Sequence, residues 1–181
     1  MAGKMEKIGY GQIEPNRLTA QKTREVYAQL PAAAALKVIE NGMALVYDQV
    51  KGEVHPVAKL GDRAGVVMNE VILEEASKTN NSDYVMRSYD ATIGQTAVAA
   101  YPRVYALHLG DSFTTNVVKE GAAAPKAGDT FAADTDGYWA PIPSDAVATA
   151  ELVLTVTPIE AGKNDTLPDG QKAVHFTVTK A

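Results

Sequence analysis

The chain has 181 residues, 17 basic and 22 acidic side chains, and no cysteine. That length suits one ordinary domain, or one domain with an arm, and the missing thiols exclude disulfide scaffolds, thiol nucleophiles, thiolate zinc sites and iron–sulfur clusters. A net charge of −5 argues against broad electrostatic binding to nucleic acid or anionic lipid.

The apolar content is thin in quality. Val, Leu, Ile and Phe together number 40, while alanine alone numbers 29. An alanine methyl contributes under about 1 kcal/mol on burial, so the core is expected to be small and to gain from contact between copies. No apolar stretch approaches the roughly 18 residues of a membrane span, and the opening Met1 to Lys7 leads into no apolar signal core.

The first thirty residues carry a charge of +2, leaving −7 for the remainder. Interrupted by Gly9, Gly11 and Pro15, this segment reads as extended up to Thr19. Thr19 to Leu30 then reads as a short helix, with Thr19 as N-cap and Pro31 as its stop. Residues 1–34 are therefore expected to form an arm that orders on a partner, and residues 35–181 a β-rich domain.

From Leu36 the pattern is strand and turn, with 19 Val against 11 Leu. Leu36–Ile39 and Met43–Tyr47 flank Asn41-Gly42, a hairpin signal. Glu53–Val57 and Ala64–Leu73 follow, then a polar loop over Glu74–Asp83. Tyr84–Arg87, Thr96–Ala100 and Arg103–Leu109 read as strands or edges. Thr149–Thr157 has both faces apolar, and Val174–Thr179 alternates and can pair with it. An internal echo stands out: Gly110-Asp-Ser-Phe-Thr-Thr-Asn116 returns as Gly128-Asp-Thr-Phe-Ala-Ala-Asp134, in each case a Gly-Asp turn starting a strand. The fold class is mainly β, a small β-barrel or β-sandwich with a β-tulip among the options, carrying an extended N-terminal arm with a short helix.

No catalytic constellation emerges. His55, His108 and His175 are isolated from one another, and no phosphate-cradling glycine motif occurs. The carboxylates at Asp129, Asp134 and Asp136 lack the glutamate that a calcium loop needs six residues beyond its glycine, where Pro143 stands. Gly110-Asp111-Ser112 is reminiscent of some lipolytic enzymes but sits in a β-rich turn. Tyr138-Trp139, beside Pro141 and Pro143, reads either as a flat binding patch or as an aromatic plug of the core. Catalytic, metal and cofactor sites are all expected to be absent.

The run Glu40-Asn-Gly-Met-Ala-Leu-Val-Tyr-Asp48, Gly52-Glu-Val-His-Pro-Val-Ala58 and Gly65-Val-Val67 resembles the small β-domains that decorate tailed-phage heads. The stretches Leu109–Val118 and Ala127–Trp139 are similar to phage minor structural proteins. This resemblance implies a non-enzymatic head decoration, or cement, protein made in the host cytoplasm and carried on the outer capsid surface of the virion. Its implied partners are the major capsid protein and further copies of itself, a trimer favoured, with neither nucleic acid nor membrane. Capsid contact is expected from Tyr10, Arg17, Arg24 and Tyr27 in the arm, and a second binding surface from Tyr138 and Trp139. Two other readings remain: a head-fibre or adhesin module touching host glycans or proteins through Tyr138-Trp139, and a small hydrolase built on Gly110-Asp111-Ser112.

Overall fold

The computed structural model describes residues 3–7, 11–36, 38–69, 85–87, 100–121, 123–159, 165–167 and 170–181. Its strands in chain order are β1 Gly3–Lys4, β2 Ile13–Arg17, β3 Val26–Tyr27, β4 Val38–Glu40, β5 Ala44–Asp48, β6 Glu53–His55, β7 Gly65–Val67 and β8 Val85–Arg87. They continue with β9 Val104–Tyr105, β10 Ser112–Thr115, β11 Lys119–Glu120, β12 Thr130–Ala133, β13 Trp139–Pro141, β14 Val153–Val156 and β15 Val174–Lys180. One helical turn, α1 Thr19–Thr23, lies between β2 and β3.

The fold is mainly β and sandwich-like, with open sheets and no closed barrel. A six-stranded antiparallel sheet runs β13-β12-β14-β15-β10-β2, and a five-stranded one runs β3-β9-β7-β5-β6. Two small ladders, β1 with β11 and β4 with β8, complete it. The largest of three hydrophobic clusters among the described residues joins the main sheets. Phe113, Phe131, Trp139, Leu154 and Phe176 come from the larger sheet, and Ala44 and Val66 from the smaller. Phe131 and Phe176 pack with centroids 5.1 Å apart, and Phe113 lies 5.7 Å from Trp139. Such pairs add about 0.5–1.5 kcal/mol each beyond the area they bury.

The echo in the sequence is a duplicated structure. In each copy the glycine has positive φ (+84° at Gly110, +88° at Gly128). The aspartate N–H reaches back to His108 O or Lys126 O at 3.0 Å. Its carboxylate accepts the N–H of that same residue, at 2.9 and 2.8 Å. Gly110 and Asp111 then exchange backbone hydrogen bonds with Val178, and Gly128 and Asp129 do so with Val156. A third corner of this kind, Lys59-Leu60-Gly61-Asp62, precedes β7 and was not anticipated. Its Asp62 Oδ2 accepts the Lys59 N–H at 3.1 Å.

Asn41-Gly42 does make a turn. Met43 N–H bonds to Glu40 O, and Gly42 has φ +92°. It is not a hairpin, however, because β4 pairs with β8 while β5 pairs with β6 and β7. Positive φ falls on Gly42 and not on Asn41, so the turn lacks the primed geometry that twists two strands back together. Gly42 also sits where three elements meet. Its N–H donates to Val67 O at 2.8 Å, and its carbonyl accepts the buried Trp139 indole N–H at 2.9 Å.

The N-terminal segment is extended, but it is laid on the domain rather than standing away from it. β2 pairs with β10 as the sheet edge, Pro15 opposite Phe113, with a bulge at Asn16. Met5, Leu18 and Ala20 are buried. The helix expected over Thr19–Leu30 is confined to one turn, and Thr19 is its first residue rather than its cap. Arg24 at φ +64° ends it, and Val26 and Tyr27 pair with Tyr105 and Val104 instead. Strand pairing and the left-handed Arg24 override the helical pattern. The strand expected at Thr96–Ala100, apart from Ala100, and the loop at Glu74–Asp83 lie outside the described residues.

Two glycine substitutions separate backbone strain from crowding. A Cβ at Gly42 would sit 2.2 Å from Thr115 Oγ1, whereas at Gly52, also at positive φ, nothing lies within 4 Å. Gly42→Val should cost about 2–5 kcal/mol and Gly52→Ala only about 1–2, read as shifts in urea unfolding. Equal costs would contradict this packing.

Candidate interaction surface

Asp111 is the fully buried acid of the 108–111 corner. Its Oδ1 accepts both the N–H and the O–H of Thr19, at 2.8 and 2.6 Å, while Oδ2 takes the His108 N–H. Charge-assisted bonds from three donors make burial of this carboxylate tolerable without a cation. They also tie the N-terminal segment to the corner. Glu25 adds a second tie, its carboxylate 2.5 Å from His108 Nε2 and its carbonyl accepting the Ala106 N–H.

These ties gather side chains that are far apart in sequence. Arg17 lies opposite Ser112 at the end of β2, Lys22 is in the last turn of α1 and Arg24 caps its end. Tyr27 pairs its backbone with Val104. At the tip of the corner stands Leu109, 70% exposed. Three of the four arm residues singled out from the sequence, Arg17, Arg24 and Tyr27, thus belong to the segment that these ties and pairings hold against residues 104–112, while Tyr10 lies outside the described residues. None of the ion pairs among the described residues uses Arg17, Lys22 or Arg24. Tyr27 is 36% exposed and stacks on Tyr47 at 5.0 Å, beside a concavity of ≈ 250 Å³ that Arg63 and Leu107 also line. Leu109 was missed from the sequence. Its available signal was the shared Leu-Gly-Asp at 60–62 and 109–111, which places both leucines on turn tips.

The second expected surface is corrected. Trp139 is 0% exposed and Tyr138 is buried, so this pair plugs the core and offers no face to a ligand. The physical reason is the indole bond to Gly42 O together with the packing on Phe113. The loop acids Asp134 and Asp136 face lysines: Lys119 Nζ binds Asp134, and Asp136 at 3.0 Å. Burial disfavours the Lys119 ammonium, yet its bonds to Asp134 and Asp136 prevail and raise its pKa above 10.5. Burial likewise works against the Asp134 carboxylate, but the Lys119 bond and the Thr135 N–H prevail and lower its pKa below 3.8. In the Gly110-Asp111-Ser112 triplet the acid is committed to Thr19 and backbone, and His108 Nε2 to Glu25. Among the described residues no group of three His, Asp or Glu is placed to hold a metal ion.

Asp111→Ala strands the Thr19 and His108 N–H groups and should cost about 2–4 kcal/mol, with hydrogen-exchange protection lost at Thr19. Asp129→Ala, in the exposed twin corner, should cost under about 1 kcal/mol. The Lys119–Asp134 pair has a defined pH window. A lowered Asp134 pKa stabilises above its unfolded value, and that gain is lost as pH falls through the folded value. A raised Lys119 pKa stabilises below its unfolded value, and that gain is lost as pH rises through the folded value. The stability gap between wild type and Lys119→Met should therefore be flat through neutral pH and begin to close only as pH falls below 3.8 or rises above 10.5, read from urea midpoints.

No protein-family model, curated protein or solved structure matches this chain.

Proposed function

We propose that the protein is a non-enzymatic attachment protein that decorates the outer surface of an assembled tailed-phage capsid and stabilises it. One observation carries this reading. Leu109 and Tyr27 are exposed, and Arg17, Lys22 and Arg24, on the segment tied to residues 104–112, are exposed and make no ion pair among the described residues, on a chain of charge −5. An exposed leucine and cations that make no ion pair among the described residues suit a flat, acidic protein face: the leucine supplies burial, and the arginines supply orientation and bidentate bonds to carboxylates. Repetition over a shell adds avidity to a modest single contact, and three copies around a symmetry axis are the favoured arrangement. The glycan-binding alternative loses its basis with the burial of Trp139.

The test uses undecorated shells of the phage that encodes the chain, with occupancy read by cosedimentation. Arg17→Glu/Arg24→Glu and Leu109→Ser should each lose most binding while melting as wild type does, and wild-type binding should weaken with added salt. Full occupancy by both variants, or no binding by the wild type, would overturn the proposal.

A further inference from the structure

Residues 3–7 form a fastening of their own. β1 pairs with β11, Gly3 opposite Glu120 and Lys4 opposite Lys119. The Met5 N–H donates to Val118 O at 2.8 Å, and the Met5 side chain enters the main core at 5% exposure. Lys4 Nζ stands 4.1 Å over the Tyr138 ring and 3.8 Å from Asp136. Lys7 pairs with Glu40 and donates to Tyr138 Oη at 3.1 Å. The same Glu40 accepts the Gly11 N–H at 2.8 Å, so one carboxylate holds both ends of the short link from strap to β2.

The socket beneath this strap has a charge requirement. Counting the ion-paired groups alone, Asp134 and Asp136 on Lys119, together with Glu40, leave the domain side at −2, which Lys4 and Lys7 bring to zero. A second carboxylate oxygen, Asp136 Oδ1, is buried with no hydrogen-bond partner. Partly buried acids and a vacated methionine hole make an empty socket costly, so it demands a strand of the form Lys-Met-x-Lys. Every further copy of the chain carries that strand.

We propose that the strap is exchangeable, Gly3–Lys7 of one copy filling the socket of a neighbour and so linking copies of this chain. Contacts in the exchanged arrangement are the same as within one chain. The balance therefore rests on concentration: a short link gives the chain's own strap an effective concentration of order mM, and neighbouring copies compete once they are packed to that density. The ladder that holds the strap is short, two residues of β1 on two of β11, and the contacts of Met5, Lys4 and Lys7 that release breaks are regained in a neighbour's socket.

The absence of native cysteine makes the test direct. Full-length Gly3→Cys and full-length Glu120→Cys, positions directly opposite across the ladder, are mixed at about 1 mM and oxidised gently. A disulfide-linked heterodimer should form, fade on dilution, and be lost when Lys7→Glu is added to the Gly3→Cys chain. Glu120→Cys replaced by Lys51→Cys, on the exposed hairpin tip, supplies the random-collision control. A single chain carrying both Gly3→Cys and Glu120→Cys should close internally when dilute. Heterodimer no greater than the control, heterodimer indifferent to Lys7→Glu, or failure of the double variant to close would each overturn the proposal. No capsid is present in this assay, so its failure leaves the attachment reading untouched.

Discussion

The hydrogen bond from the Trp139 indole to the Gly42 carbonyl joins the end strand of the larger sheet to the turn that feeds the smaller one. Both groups are buried, and either one left alone would carry the full cost of desolvation, so neither sheet can shift without the other. Around that bond the chain has no spare room: Thr115 Oγ1 fills the space where a side chain at Gly42 would go and itself donates to Gln12 O. Glu40 ends β4 just before this turn, and Phe113 packs against the indole. A thin aliphatic core is thus organised by one large aromatic whose polar atom has a defined partner.

A single local device does different work at different places. The Gly-Asp corner sets where β10 and β12 begin and which strand each meets, because its two backbone groups dock on β15 and β14 respectively. Where the corner faces solvent, as at Asp129, the acid only closes its own turn. At Asp111 the acid is covered and its spare acceptor capacity recruits Thr19, so the N-terminal segment is held by the same chemistry that shapes the turn. Burial, not sequence, distinguishes the two uses.

Much of the architecture was legible because it is local. Valine-rich alternation marked β5, β14 and β15, Val174–Thr179 was matched to its partner, and the repeated Gly-Asp-x-Phe located two strand starts. What eluded the sequence was long-range. Asn41-Gly42 announces a turn but not which strands it joins, since β4 finds its partner at Val85–Arg87. Composition made the N-terminal segment read as an arm that needs a partner in order to become ordered. It counted side chains and missed backbone bonds to β10, and it could not foresee Met5 entering a core built by other residues. Tyr138-Trp139 could face either way, and only the Gly42 carbonyl decides it. Of the proposed surface, Arg17, Arg24 and Tyr27 were singled out from charge and type. Leu109 was overlooked because an exposed leucine on a turn carries no periodic signal.

The edge strand β2 has a consequence for how the molecule behaves when crowded. Pro15 has no N–H to offer, the bulge at Asn16 bends the strand, and Glu14 and Arg17 place charges on its exposed side. A seventh strand from another molecule would meet a broken ladder there. This margin of the large sheet is thus a poor template for fibre-like growth by strand addition.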